Sequence, residues 1–231
     1  HEAGVQLLVF RPKISPLTLR RERLRRLHRK IAVVDGRIAF VGGINIIDDT
    51  TGQEQLPPRY DYAVQVEGPL VSEIEDSAAR LWGQVAWAHL RRRWRVRRRV
   101  DPGEAPRGSQ RAALVVRDNF RHRADIEQSY LEAIRRARDE IIIANAYFFP
   151  GRRFRQALAA AAQRGVRVTL LLQGRVEYVL LHYASRALYG TLLAAGVEIF
   201  EYHRSFLHAK VAVIDRQWAT VGSSNIDPFS L

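Results

Sequence analysis

The chain has 231 residues, 47% hydrophobic and 26% charged, enough for one large or two modest domains with a real core. Its formal net charge of +13 points to anionic partners: nucleic acid, anionic lipid or a phosphorylated substrate. The absence of cysteine excludes a disulfide framework and any thiolate ligand or nucleophile, and no apolar run reaches the ~18 residues that a membrane-spanning helix needs.

In chain order, GVQLLVF (4–10) reads as a strand, and an arginine-rich stretch, LRRERLRRLHRK (19–30), leads into LHRKIAVVDGRIAFVGGINI (27–46). YAVQVEGP (62–69) has strand chemistry, and VSEIEDSAARLWGQVAWAHL (71–90) has helical apolar spacing. HLRRRWRVRRRV (89–100) carries seven arginines around Trp94, and VDPGEAPRGSQR (100–111) has linker chemistry. Then come a helix over 123–137, a buried strand in IIIANAYFF (141–149) and a helix over 152–165 with Gly165 as its C-cap. A strand over 166–174, a helix over 182–195 and a strand in GVEIFEY (196–202) follow. The chain closes on LHAKVAVIDRQWATVGSSNI (207–226). Strands alternating with helices predict an α/β fold with a largely parallel or mixed sheet.

Residues 27–46 and 207–226 are the same sentence written twice, with eleven of twenty aligned positions identical. GVQLLVF likewise matches GVEIFEY, so the chain reads as two repeats: 1–100, a linker at 101–112, and 113–231. Repeat symmetry, and the lack of methionine, lead us to expect a fragment, with roughly 70 residues preceding it and on the order of 40 following.

Both copies obey H-x-K-x4-D-x6-G-[GS]-x-N: His28, Lys30, Asp35, Gly42, Gly43 and Asn45, then His208, Lys210, Asp215, Gly222, Ser223 and Asn225. On a strand, residues two apart share a face, so each His and Lys point the same way, while Asp35 and Asp215 fall where the strand turns. Gly42 and Gly222 permit tight backbone. A single His-Lys on a strand is usually an ordinary surface pair, and Asp35-Gly36 alone is an ordinary hairpin turn. Duplication explains shared apolar positions. It does not explain why the polar set survives while neighbours such as Arg29 and Ala209 differ. Two lysines and two asparagines could clamp a tetrahedral phosphate-sized anion. One neutral histidine could act as nucleophile and one protonated histidine as acid, a division that a single imidazole cannot manage in one step. The lysines would neutralise charge as a metal does elsewhere, so neither metal nor cofactor is expected.

At these residues the sequence resembles the phospholipase D superfamily, whose double HKD signature it matches at both sites. "VEGP" (66–69), "NAYFFPG" (145–151) and "HAKVAVIDRQWATVGSSNIDPFSL" (208–231) are similar to the bacterial cardiolipin synthase branch. The resemblance implies two pseudo-symmetric repeats, each a mixed sheet flanked by helices, with the active site between them. It also implies a phosphohistidine intermediate, with His28 as nucleophile and His208 as acid/base. Lys30, Lys210, Asn45 and Asn225, with Gly43 and Ser223, would hold the phosphoryl oxygens, and Asp35 and Asp215 would support the turns. The implied reaction passes a phosphatidyl group from a phosphatidylglycerol-like donor to another phospholipid, on the inner membrane of a bacterium, peripherally, at its cytoplasmic face. The family also places an acidic residue after the second GSxN, hydrogen-bonded to a catalytic histidine. Its equivalent is expected beyond Leu231.

Arginine with Trp82, Trp87 and Trp94 is membrane-interface chemistry, each basic residue contributing about 1 kcal/mol at an anionic surface. A solvated helix face is the plainer reading of the same residues. The aliphatic stretch VEYVLLHYASRALYG (176–190) could line an acyl groove or simply pack on the core. The first favours lipid over nucleic acid as partner. The rival readings are phospholipase D hydrolysis, a nuclease of the same superfamily, or a non-catalytic adaptor of anionic membranes, the last of which predicts decay of one motif.

Overall fold

The computed structural model describes residues 5–8, 10, 27–46, 57–88, 108–117, 124–176 and 179–227. They form two compact units, one drawn from 1–40 and 65–114 and the other from 41–64 and 115–231. The arginine runs at 11–26 and 89–100, and residues 101–107 of the linker, lie outside the described residues.

The early strands are β1 (Lys30–Val34), β2 (Ile38–Gly42) and β3 (Ala63–Glu67), in the order β1-β2-β3. Gly68, at φ 89, turns the chain from β3 into helix α1 (Leu70–Ala88), whose first bond runs from the Val71 N–H to the Gly68 carbonyl. Val71, Ile74, Ser77, Val85 and Ala86 form its buried stripe at helical spacing. Residues 5–8 are not in a strand, contrary to the expectation for GVQLLVF. Its counterpart has the ladder of a neighbouring strand to complete its backbone hydrogen bonds, and among the described residues Val5–Leu8 has none.

In the second unit, α2 (Asp125–Arg136) opens on Asp125 and Glu127 and ends on Arg135 and Arg136, matching its dipole. Strand β4 (Glu140–Asn145) is followed by α3 (Arg152–Gln163) and β5 (Arg167–Gln173). Gly165 sits just past α3 at φ 90, and the Gly165 and Val166 N–H groups close back on Ala162 and Ala161, an αL stop that glycine adopts without strain. The helix expected over 182–195 is two, α4 (Val179–Arg186) and α5 (Tyr189–Ala194). A tight bond from the Leu188 N–H to the Ser185 carbonyl marks the break between them, and α5 places Leu192 in the core at 1% exposure.

Strands β6 (Glu198–Tyr202), β7 (Lys210–Ile214) and β8 (Trp218–Val221) complete a five-stranded sheet ordered β6-β5-β4-β7-β8. β4, β5 and β6 run parallel, and β7 and β8 are antiparallel additions, so the sheet is mixed, as the pattern predicts. Alternation along the strands sends Ile141, Ile143, Val168, Leu170, Ala212 and Ile214 to one buried face, where Phe154, Leu158 and Leu192 pack. IIIANAYFF is strand only as far as Asn145. There the chain leaves the ladder, and Phe148 instead makes an isolated parallel bridge to Ile226. Asn145 pairs with Lys210, which places the start of the second motif at the carboxyl ends of the parallel strands, where α/β sheets gather their sites.

Candidate active site

The two motifs build the same local device. In each, a strand turns on two residues with positive φ: Asp35 (53°) and Gly36 (68°), and Asp215 (51°) and Arg216 (55°). The Arg37 N–H closes on the Val34 carbonyl and the Gln217 N–H on the Ile214 carbonyl, each at 3.0 Å, so both are type I′ hairpins. The ammonium of each motif lysine donates to the carbonyl of the histidine two residues before it. Lys30 Nζ reaches the His28 oxygen at 2.9 Å, and Lys210 Nζ reaches that of His208. An ammonium carries three donors, so this bond aims the lysine without using all of them. Lys210 is 1% exposed, a buried charge that calls for compensation by partners.

His28, Lys30 and Asp35 lie in the first unit. The second holds Gly43, Asn45 and the whole second motif. Asp215 turns its carboxylate onto the backbone of residues 138–140. Oδ2 accepts the Arg138 N–H at 2.8 Å, and Oδ1 accepts those of Asp139 and Glu140 at 2.9 Å each. Desolvation pushes its pKa up, but these three N–H groups and the Arg138 charge outweigh it and hold the carboxyl below its usual range. Asp215 thus ties the hairpin to the start of β4.

The residue that sequence reading missed is Asp61. Its Oδ2 meets His208 Nδ1 at 2.5 Å, with both side chains under a tenth exposed. Its Oδ1 accepts the N–H of Tyr62 at 2.8 Å. The neighbouring backbone fixes the pair: Tyr60 bridges Leu207 in parallel, its N–H donating to the Phe206 carbonyl and its carbonyl accepting the His208 N–H, both at 2.8 Å. Gly43 leaves the space, since a Cβ there would lie 2.3 Å from Asp61 Oδ1. A Cβ on Gly42 would lie equally close to the Tyr62 carbonyl oxygen, whereas one on Gly222 would meet nothing within 4 Å. Gly42 thus packs tightly against neighbouring backbone, while the space beside Gly222 is open. A signal was available: an acidic residue expected after the second GSxN has a natural counterpart after the first GGxN.

The loop carrying Asn225 is clamped by the segment after β4. The Ile226 N–H donates to Asn145 Oδ1 at 3.3 Å, and the Phe149 N–H to the Ile226 carbonyl at 2.8 Å. Asn225 Oδ1 and Asn145 Nδ2 are buried polar atoms with no hydrogen-bond partner among the described residues. Among those residues, no group of three His, Cys, Asp or Glu side chains gathers as a candidate metal site, and no helix is long and apolar enough to cross a membrane.

The family described as "Cardiolipin synthase, PLD-like domain" matches residues 130–231. Cardiolipin synthase B of Escherichia coli K12 is 46% identical over 230 residues, covering 99% of this chain and 55% of that protein. The major cardiolipin synthase ClsA of Bacillus subtilis is 29% identical, covering 98% of this chain and 46% of that protein. Among solved structures, the phospholipase D family member Nuc of Salmonella typhimurium aligns with TM-score 0.37 and 28% identity over 43% of this chain and 64% of that one. Together with the family match, the duplicated His-Lys hairpins make this chain similar to phospholipase D-like proteins. Nearly the whole chain is similar to cardiolipin synthases, and its second half to their PLD-like domain. It spans about half the length of the curated relatives it matches.

Proposed function

We propose that the protein transfers a phosphatidyl group between phospholipids at a membrane surface, as the names of its cardiolipin synthase relatives suggest. The observation that carries this reading is the Asp61–His208 pair. A carboxylate on Nδ1 fixes the ring's orientation and tautomer and leaves Nε2 for a proton at the reacting oxygen. In this reading His28 attacks phosphorus and forms the phosphohistidine. His208 gives its proton to the leaving glycerol and then takes one from the incoming hydroxyl. Lys30, Lys210, Asn45 and Asn225, with the Gly43 and Ser223 backbone, hold the phosphoryl oxygens. Asp35 plays for the first hairpin the part that Asp215 plays for the second. In this reading each of the two repeats, divided at 101–112, contributes one histidine to the reaction. No metal or cofactor takes part. The partner is a phosphatidylglycerol-like membrane, bound peripherally at the cytoplasmic face of the bacterial inner membrane through the arginine runs. Exposed Val176, Val179 and Tyr183 at and before α4 suit that apolar contact.

The test uses the full-length protein and its His28→Ala and His208→Ala variants on phosphatidylglycerol vesicles with chelator present. Cardiolipin and glycerol from the parent, abolished in both variants, support the reading. Nicking of plasmid DNA with no lipid product would replace it with a nuclease.

A further inference from the structure

The bridge that aligns Asp61 with His208 has a second rung. Tyr60 pairs with Leu207 in parallel, and residues two apart on an extended chain share a face. Arg59 therefore stands beside Asp61, and Phe206 beside His208. The contacts agree: Asp61 meets His208, and the Arg59 guanidinium lies over the Phe206 ring, 5.5 Å from its centroid. A second guanidinium, that of Arg175, lies over the same ring at 5.7 Å. Arg175 follows the end of β5. Its Nη1 donates to the His203 carbonyl at 3.0 Å, and its N–H faces Gln173 Oε1 at 3.4 Å. Gln173 also accepts the Leu207 N–H at 3.2 Å, while its buried Nε2 has no partner among the described residues. Two guanidiniums thus lie over one aromatic ring, two residues along the chain from the proposed acid/base.

Contact with the ring restrains each guanidinium and leaves its planar fork suited to an oxyanion. A phosphodiester suits such forks. The strand step from Phe206 to His208 is roughly 6.6 Å. A glycerol bridge holds two phosphorus atoms roughly 6–7 Å apart, given bond lengths of ~1.5 Å. Resting on the phosphatidyl-transfer reading, we infer that Arg59 and Arg175, seated on Phe206, bind the unreacting phosphate of the acceptor lipid. The acceptor's free hydroxyl is then delivered to the phosphorus served by His208. The acceptor O–H loses its proton to His208, its oxygen bonds to phosphorus, and the bond from phosphorus to the histidine of the intermediate breaks. Water and free glycerol lack a phosphate and gain nothing from this seat, so the pair selects lipid acceptors.

The experiment compares the full-length protein with an Arg59→Gln/Arg175→Gln variant on phosphatidylglycerol vesicles containing labelled glycerol. Two products are counted: cardiolipin, whose acceptor carries a phosphate, and labelled phosphatidylglycerol, whose acceptor does not. We expect cardiolipin to fall about ten- to a hundredfold, the loss of charged hydrogen bonds, with label exchange within about twofold. The Arg59→Lys/Arg175→Lys variant, which keeps charge without the fork, should recover part of the cardiolipin. Equal loss of both products in the glutamine and lysine variants, or no change in either, overturns the inference. A parent that makes neither lipid product overturns the transfer reading itself. If that parent cuts DNA and the glutamine variant binds DNA more weakly, the pair belongs to a nucleic-acid backbone.

Discussion

Asp61 and His208, 147 residues apart in sequence, meet side chain to side chain at 2.5 Å in a buried setting. Asp61 thus fixes the ring of the second motif's histidine from within the same compact unit. Asp61→Asn keeps the shape but removes the acceptor charge and can present an amide N–H to the ring. We expect kcat to fall about a hundredfold with KM within about threefold, the pattern of an outer group that orients a reacting one. Steady-state kinetics on phosphatidylglycerol vesicles would measure both.

Gly43 and Gly222 occupy matching places in the two motifs but differ in what surrounds them. A methyl at 43 collides with the Asp61 carboxylate, while one at 222 enters open space. Gly43→Ala should cost about 1–3 kcal/mol as overpacking and should reduce kcat alongside Asp61→Asn. Gly222→Ala should stay within about 0.5 kcal/mol. Urea unfolding of the two variants separates them.

Asn145 links β4 to the second motif's asparagine loop through the Ile226 N–H. Asn145→Ala leaves that buried N–H unpaired, which should cost about 1–3 kcal/mol. Because Asn225 precedes Ile226, kcat should fall as well, and Asn145→Asp, which retains the acceptor, should recover part of it. Thermal unfolding together with kinetics would check both effects.

The carboxyls of Asp215 and Glu140 are both held below their ordinary values of 3.8 and 4.5. At Asp215 desolvation opposes the shift, and the Glu140, Asp139 and Arg138 amides with the Arg138 charge produce it. At Glu140 the guanidiniums of Arg167 and Arg216 produce it. A carboxyl lowered on folding adds stability above its unfolded pKa, and that stability is lost as pH falls through the folded value. The urea midpoint should therefore be flat near neutrality and decline as pH drops below about 4.5. Asp215→Asn should lower the midpoint at neutral pH and flatten that decline. A midpoint that rises on acidification would contradict the assignment.

Much of this architecture is written locally. The α2 and α3 patterns, the apolar runs of β4 and β5, and the Gly165 stop each depend on neighbours within a few residues, and they form where the sequence predicts, with β4 ending early at Asn145. So too is the I′ hairpin at Asp35-Gly36, where glycine tolerates φ 68. Its partner at Asp215-Arg216 is less legible, because arginine rarely takes φ 55. What a local pattern does not encode is pairing across the chain. Asp61 sits in PRYDYAV as one acid among many, and its role appears only when Tyr60 bridges Leu207. GVQLLVF matched a strand in composition, but a strand also needs a neighbouring ladder, and no such ladder is present among the described residues. The split between α4 and α5 likewise follows from how Leu192 reaches the core, not from the apolar spacing of residues 182–195.

The central claim is that the two motif histidines divide the chemistry, and the most direct measurement is to map the covalent intermediate. The full-length protein would be mixed with phosphatidylglycerol carrying labelled phosphate, quenched while turning over, digested under conditions that preserve phosphohistidine, and sequenced by mass spectrometry. We expect an adduct on His28, absent in His28→Ala, and none on His208. Label on His208 instead, or turnover with no histidine adduct at either position, would contradict it.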